Sequence, residues 1–370
     1  MTMADVRKEL GLLLEAAAPA VEPLGQSPIV LYGGGGKGVE CLRVLRDAGH
    51  EVAGIIDRRP LQPIDGVPTY LPDDPALGHL AKAGATAVVS VFNYQVDPLP
   101  IHELLSEIGF RRVVGMVELR QLLPVPNTYW LAESSQMSPS VEDASWLWDR
   151  LADDESRRTF MEAVALRRTF NPRRLRGISA CNQYLPASVP VPRHNLRFVD
   201  GGAFDGDTIA GLLEGGCSVS ALAAFEPDPA NYAKLCRRAG DFGLSKEMSL
   251  WPCGLDAVTR QLRFRSNALS SSGFDIAGDV IVQTVAFDDA MPSFDPSYVK
   301  LDIEGAEADA LQGMANTIRS SRPALAVCVY HRPADLWELP RLVDGLMPGC
   351  RLYLRAHTWN GFELVLYAIP

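Results

Sequence analysis

Lysine is scarce in this sequence: six of its 35 basic residues are lysines, a bias to which no mechanism attaches. Positive charge is also the minority sign. The 370 residues carry 45 acids and a formal net charge of −10, which argues against nucleic acid as the main partner. No apolar run approaches the roughly 20 residues that a membrane span needs. The opening MTMADVRKELGLLLEAAAPAVEP lacks a basic region followed by an apolar stretch, so it reads as an amphipathic helix rather than a signal peptide. The seven cysteines (Cys41, Cys181, Cys217, Cys236, Cys253, Cys328, Cys350) are scattered, odd in number and never spaced C-x-x-C. That argues against a disulfide framework and a structural zinc site, and makes a reducing cytoplasm the expected location. The six histidines lack ligand spacing, and neither H-E-x-x-H nor G-x-S-x-G occurs, which disfavours zincin and serine-hydrolase chemistry.

What is present is a core. Hydrophobic residues make up 47% of the chain and charged residues 22%, so wholesale disorder is excluded. At roughly 150 residues per domain the length allows two or three domains. In the first part, Ile29–Tyr32, Glu51–Asp57, Ala87–Phe92 and Arg112–Met116 read as strands, with helices over Val39–Ala48 and Ile101–Ile108. That alternation implies βαβ units and a parallel sheet, closing near Leu123 where Pro124 and Pro126 follow. Residues 125–195 read as a connector, with one helix over Ser145–Leu166. Eight arginines against four acids between Arg150 and Arg176 give a basic helix end or an anion-binding face. Strand-like runs follow at Leu196–Asp200, Ala221–Phe225, around Leu250, and at Val280–Ala286, Tyr298–Ile303, Ala324–Tyr330, Leu352–Ala356 and Glu363–Ala368. They imply a second α/β sheet ending in an antiparallel hairpin about Trp359-Asn360-Gly361.

Two glycine loops differ in chemistry. Gly33-Gly34-Gly35-Gly36-Lys37-Gly38 contains G-x-G-x-x-G at Gly33, Gly35 and Gly38, between a strand and a helix, and Asp57 ends the next strand 19 residues after Gly38. That pattern suits a phosphate at a helix N-terminus and an acid on ribose hydroxyls, or else a fold kept for packing alone. The second loop, Asp200-Gly201-Gly202-Ala203-Phe204-Asp205-Gly206-Asp207-Thr208, carries three aspartates that would repel a pyrophosphate. S-adenosylmethionine, with a cationic sulfonium and ammonium, suits it better. Glu226, in Phe225-Glu226-Pro227-Asp228, stands at the next strand's end, where a carboxylate can accept both ribose hydroxyls. Alternatively, Asp205 and Asp207 merely cap the helix.

The stretches FVDGGAFDGDT (198–208), AFEPDPANYAKL (224–235), VKLDIEGAEADALQGM (299–314) and YLRAHTWNGFELVLYAIP (353–370) resemble the FkbM family of S-adenosylmethionine-dependent methyltransferases. The resemblance covers about the last 175 residues. It implies a class I methyltransferase fold and O-methylation of a sugar, polysaccharide or natural-product hydroxyl. Asp200, Gly202 and Gly206 would line the methionine end of the cofactor, Glu226 would hold the ribose, and Asp302 and Glu304 would border the methyl-transfer site. The first ~125 residues resemble the nucleotide-sugar-binding domain found on some sugar acyltransferases, a likeness carried by GGGGKG alone.

The expected organisation is an α/β protein: residues 1–124 a Rossmann-like domain for a nucleotide, dinucleotide or nucleotide sugar (Gly33, Gly35, Gly38, Asp57), 125–195 a helical connector, and 196–370 the methyltransferase. Its cofactor residues would be Asp200, Gly202, Ala203, Asp205, Gly206, Thr208, Glu226 and Pro227. Methyl transfer requires loss of the acceptor's proton, and catalytic groups collect at carboxyl ends of strands. Asp302, Glu304, His331 and His357 stand at such ends. His331 titrates nearest neutrality and is therefore the expected base, with Asp302 to orient it or contact the acceptor. Helix capping by His331 is the plainer alternative, as is a packing role for Tyr184. Asp302 and Glu304 are hard oxygen ligands without an obvious third, so no metal is assigned. The expected partner is a carbohydrate or glycosylated small molecule, with a homo-oligomer left open. Rival readings are an NAD-linked sugar-nucleotide oxidoreductase or epimerase, disfavoured by the absence of Y-x-x-x-K after GGGGKG, and a non-catalytic sugar-nucleotide-binding protein.

Overall fold

The computed structural model describes residues 2–17, 19–126, 128–175, 182–244, 247–265, 273–274 and 280–370. Cys181 and Arg176 fall outside them. The chain forms two compact units, Met1–Val141 with Arg158–Ile178 and Thr358–Phe362, and Glu142–Arg157 with Ser179–His357 and Glu363–Pro370. The segment 125–195 is thus shared between the two. Among the described residues no helix is long and apolar enough to cross a membrane, and the six described cysteines are free.

The first unit opens with helix α1 (Met3–Glu15), started by a capping box in which Thr2 and Asp5 satisfy each other's backbone N–H groups. Strands β1 (Ile29–Tyr32), β2 (Val52–Ile56), β3 (Thr69–Tyr70), β4 (Thr86–Val89) and β5 (Val113–Val114) form a parallel sheet in the order β3-β2-β1-β4-β5. Every residue of β1 and β4 is buried, as expected of central parallel strands. Helices α2 (Gly36–Asp47), α3 (Ala76–Lys82), α4 (Leu99–Ile108) and α5 (Met116–Leu122) connect or follow them. Where a strand was expected to Met116, only Val113–Val114 pairs, because Met116 already opens α5.

One expected helix over Ser145–Leu166 is two, α6 (Val141–Arg150) and α7 (Asp154–Thr169). Leu151 leaves the helix to bridge Leu352, the Ala152 N–H donates to the Leu352 carbonyl at 2.8 Å, and Asp153 accepts the Ser156 N–H at 2.8 Å to start α7.

The second unit contains β6 (Leu196–Gly201), α8 (Asp207–Glu214), β7 (Val219–Phe225), α9 (Pro229–Arg238), β8 (Met248–Trp251), β9 (Cys253–Leu255), β10 (Arg260–Arg265), β11 (Gly273–Phe274), β12 (Val280–Val285), α10 (Phe287–Ala290), β13 (Tyr298–Leu301), α11 (Glu307–Gly313), α12 (Ala315–Ser321), β14 (Ala324–Cys328), α13 (Asp335–Leu346), β15 (Arg351–Ala356) and β16 (Leu364–Ile369). Its main sheet runs β15-β16-β14-β13-β6-β7-β8. Six strands run in one direction, and β16 runs against them between β14 and β15, the expected terminal hairpin. This is the Rossmann-like sheet that the methyltransferase resemblance implies. Strand order reverses between β6 and β13, which opens a crevice at their carboxyl ends.

The run Val280–Ala286 was expected in that sheet. It instead pairs with β9 and β10 in a separate four-stranded sheet, β11-β10-β12-β9. Strands β9 and β10 escape the pattern because one is three residues long and the other, RQLRFR, alternates arginine with few apolar residues.

Arg355 ties the segment 142–157 to the main sheet. The side chain, 1% exposed, donates to Asp153 at 2.7 Å and to the hydroxyls of Ser156 and Ser188 at 2.8 and 3.0 Å. Asp153 keeps 32% of its side chain in water, so removing the guanidinium leaves it partly solvated. Arg355→Met is expected to cost about 2–3 kcal/mol, below the upper range for breaking a buried pair. An unchanged urea unfolding midpoint would show that the guanidinium network adds nothing.

Candidate active site

The crevice between β6 and β13 is built on a buried ion pair. Lys300 Nζ lies 3.1 Å from Asp200 Oδ1, and both side chains are almost wholly buried. Lys300 also donates to the carbonyl oxygens of Gly201 at 3.1 Å and Gly202 at 2.6 Å. Burial works against the ammonium, but Asp200, Asp302 and Asp207 hold its pKa above the usual value. Burial pushes the Asp200 carboxyl up to about 6 against the pull of Lys300, so the pair stays ionised at neutral pH. Gly202, at φ +76°, has no room for a side chain: an added Cβ would stand 1.9 Å from the Asp302 carbonyl oxygen. The Gly202 and Ala203 N–H groups both donate to the Phe225 carbonyl at 3.0 Å, which binds the loop to the end of β7.

The other loop residues have definite tasks. Gly206, at φ +86°, starts α8, and an added Cβ would meet Phe242 at 2.6 Å. Asp205 pairs with Arg238 at 3.1 Å. Asp207 accepts the Thr208 N–H at 2.8 Å and lies in the first turn of α8. At the end of β7, Glu226 is 6% exposed and accepts the Phe204 and Asp228 N–H groups, each at 2.8 Å. Burial raises its pKa to about 7. Pro227 leads to Asp228, which caps α9 by accepting from Ala230 and Asn231. Asp200 itself is wholly buried, so it supports the loop from below rather than facing the opening.

Asp302, Glu304 and His331 are brought together at the ends of β13 and β14. His331 Nε2 lies 3.3 Å from Asp302 and 3.9 Å from Glu304, and Nδ1 is 2.8 Å from Glu307. Burial opposes a charge on this ring, but Glu307, Asp302 and Glu304 outweigh it and hold the pKa well above its usual value. Burial would raise Asp302, yet the hydrogen bond with His331 and the charge of Lys300 pull it below the usual carboxylate range. Burial and the neighbouring Asp302 push Glu304 up to about 8, against the pull of His331. Access separates the three: Asp302 and Glu304 expose 24% and 22% of their side chains, His331 only 1%. Glu304 also holds φ +57°, a strained conformation that costs a non-glycine residue about 1–3 kcal/mol and marks functional loops.

Tyr184 does more than pack. Its hydroxyl donates to Asp302 Oδ2 at 2.8 Å, and its carbonyl accepts from Tyr298 at 2.6 Å. Beside it, Glu363 accepts from Gln183 and, at 3.2 Å, from the Tyr330 hydroxyl. Asp302, Cys328 and Glu363 bring one ligand atom each within 4.8 Å of one another, a spacing that could hold a cation. Both carboxylates already have donors, so the cluster's charge is met by protein groups. His357 is held by the Tyr367 hydroxyl at 2.9 Å.

Residues 200–357, from the glycine loop to the residue after β15, match the methyltransferase FkbM domain. The solved structure of methyltransferase FkbM from Methylobacillus flagellatus KT superposes with a TM-score of 0.77 over 99% of this chain and 93% of its own, at 21% identity. A proposed rRNA-methylase from Clostridium thermocellum covers 49% of this chain and 90% of its own, at 10% identity and a TM-score of 0.33, too slight a likeness to argue from. No curated protein sequence matches the chain.

Several groups in and around residues 200–357 carry little or no signal in the sequence. Lys300 is one of six lysines and sits inside KLDIEG, a usable signal. Glu307 is the fourth residue after Ile303, the spacing that returns a side chain to a helix start. Gln183, Tyr330 and Glu363 carry no local signal, since only the fold gathers them. The Gly33–Gly38 turn lies in the first unit, at the carboxyl end of β1. An added Cβ at Gly38 would stand 1.9 Å from the Gly33 carbonyl oxygen, whereas Gly35 has open space. Asp57 accepts the Gly34 and Arg59 N–H groups at 2.9 Å each, so both its oxygens are engaged in holding the turn. Lys37 pairs with Glu40 at 2.7 Å.

Lys300→Met would leave Asp200 buried without its cation, and the expected loss of stability is about 3–5 kcal/mol. Adding Asp200→Asn should restore a good part of it. Additive losses in that double-mutant cycle would show the two groups to be energetically independent.

Proposed function

We propose that the second unit transfers a methyl group from S-adenosylmethionine to a hydroxyl of a carbohydrate or glycosylated small molecule, with Glu304 as general base. The single observation that carries this is the contrast in access: two carboxylates open to the crevice, beside a histidine sealed behind them. A base must reach the proton it takes.

The residues around the crevice suit the cofactor. Asp200 and Lys300 fix the loop from below, and Gly202 allows the close approach of loop and β13. Glu226, its carboxylate angle set by two backbone N–H groups, is the acid available to ribose hydroxyls. Ala203, Asp205, Gly206, Thr208 and Pro227 shape the same loop and strand end. When bound, S-adenosylmethionine supplies an electrophilic methyl group.

The remaining chemistry belongs to the protein. His331 is poorly suited to be the base, against the expectation from its ordinary pKa: its ring is enclosed, and the carboxylates around it hold its pKa well above the usual value. Asp302 is a weak base because Tyr184 and His331 engage its oxygens and depress its pKa. Glu304, with a pKa near 8, combines access with basicity. It takes the acceptor's proton while Asp302 and His331 keep the surrounding charge fixed. Gln183, Tyr330 and Glu363 offer the donors and acceptors that a polyhydroxylated acceptor needs. For the first unit we propose a phosphate-bearing ligand, a nucleotide sugar or dinucleotide, at the Gly33–Gly38 turn, supported by its place where strand order reverses between β1 and β4.

Glu226→Ala should weaken S-adenosylmethionine binding by about 1.5–3 kcal/mol, the range for hydrogen bonds to a charged group. Calorimetry giving wild-type affinity would remove Glu226 from the site. Turnover requires Glu304 deprotonated, so kcat should rise with pH and level off above about 8. Glu304→Gln should lower kcat by at least about 10²-fold with cofactor affinity kept. Retention of both the rate and the pH limb in that variant would place the base elsewhere.

A further inference from the structure

We infer that Glu307 is a positioning residue of the methyl-transfer site: it grips His331 by Nδ1, turns Nε2 toward Asp302 and Glu304, and keeps the ring a fixed imidazolium between them. The inference rests on the methyltransferase reading only for its catalytic consequence.

Glu307 opens α11 and is 1% exposed. One of its oxygens, Oε1, accepts from two places: the Ile303 N–H at 2.9 Å and His331 Nδ1 at 2.8 Å. Ile303 is the residue between Asp302 and Glu304. A single carboxylate oxygen therefore fixes both the loop that carries the two candidate groups and the ring that faces them. The tautomer follows from the surroundings. Nδ1 faces Glu307 and Nε2 faces Asp302 at 3.3 Å, with Glu304 at 3.9 Å. A neutral ring would turn one nitrogen lone pair toward a carboxylate. Only a doubly protonated ring satisfies both sides.

The charges around the ring agree. Asp302, Glu304 and Glu307 face it directly, and Asp335 from α13 and Glu363, the residue before β16, also feel its charge. Arg332, the next residue, is a cation that pulls the Asp335 carboxyl down. Removal of the Glu307 charge lowers the affinity of the ring for its second proton. A ring that then goes neutral no longer stabilises the Glu304 carboxylate, so the Glu304 pKa rises.

The test is side-chain 1H–15N correlation spectroscopy of the full-length protein, with the His331 signal assigned by its absence in His331→Asn. In the wild type the ring should be doubly protonated at neutral pH. In Glu307→Gln, which keeps the size and the acceptor for Ile303, the ring midpoint should fall by at least about one pH unit, and the kcat limb should move to higher pH. Glu307→Asp, which restores the charge, should recover much of the wild-type midpoint. A neutral wild-type ring at neutral pH overturns the inference whether or not any variant folds, as does a Glu307→Gln ring that titrates like wild type. A protein that passes the spectroscopic test yet transfers no methyl group refutes the proposed activity and leaves the role of Glu307 toward His331 standing.

Discussion

The ammonium of Lys300 is the point on which the crevice of the second unit depends. It comes from β13, ends beneath β6, and meets a carboxylate and two loop carbonyls there. A buried lysine is costly to desolvate, and Asp200 with the two peptide oxygens offsets that cost. The result is a loop whose carbonyls are drawn down toward β13 and whose Gly202 lies against the Asp302 carbonyl. The loop 200–208 and the residues that follow β13 are thereby held against each other, and the groups at the end of β13 take their positions from that contact.

Charge is handled the same way through the rest of the site. Six acids, Asp200, Glu226, Asp302, Glu304, Glu307 and Glu363, gather around the strand ends, and each meets specific donors or cations. The partner decides the role. Asp200 is neutralised by lysine and becomes structural. Asp302, with a tyrosine and a histidine on its oxygens, stays ionised. Glu304, reached by neither hydrogen bond and next to another carboxylate, is left basic. Identical chemistry at the level of residue type becomes three different affinities for a proton through environment.

His331 shows how far residue type misleads by itself. An unperturbed histidine titrates nearest neutrality, which makes it the natural base to pick from a sequence. Three carboxylates about one buried ring remove that property, because the proton that would have to leave is the one that holds the cluster together. Tyr184 errs in the opposite direction: from sequence it suggests packing, and in the fold its hydroxyl helps to set the state of Asp302.

The sequence alone determined the α/β class, the parallel sheet of each unit, the closing hairpin and the neighbourhood of the loop 200–208. Those features are local: strand runs, glycines before helices, acids at strand ends, all within a few tens of residues. Its limits were also physical. The break between α6 and α7 depends on Leu352, some two hundred residues away. The four-stranded sheet depends on a three-residue strand that periodicity cannot register. How readily each acid takes a proton depends in part on Lys300, Glu307 and Tyr184. Their contacts with Asp200, His331 and Asp302 run over sequence separations from 24 to 118 residues. Only the tertiary structure closes those distances, and pKa follows from the closure, because desolvation and neighbouring charge are properties of a place rather than of a residue.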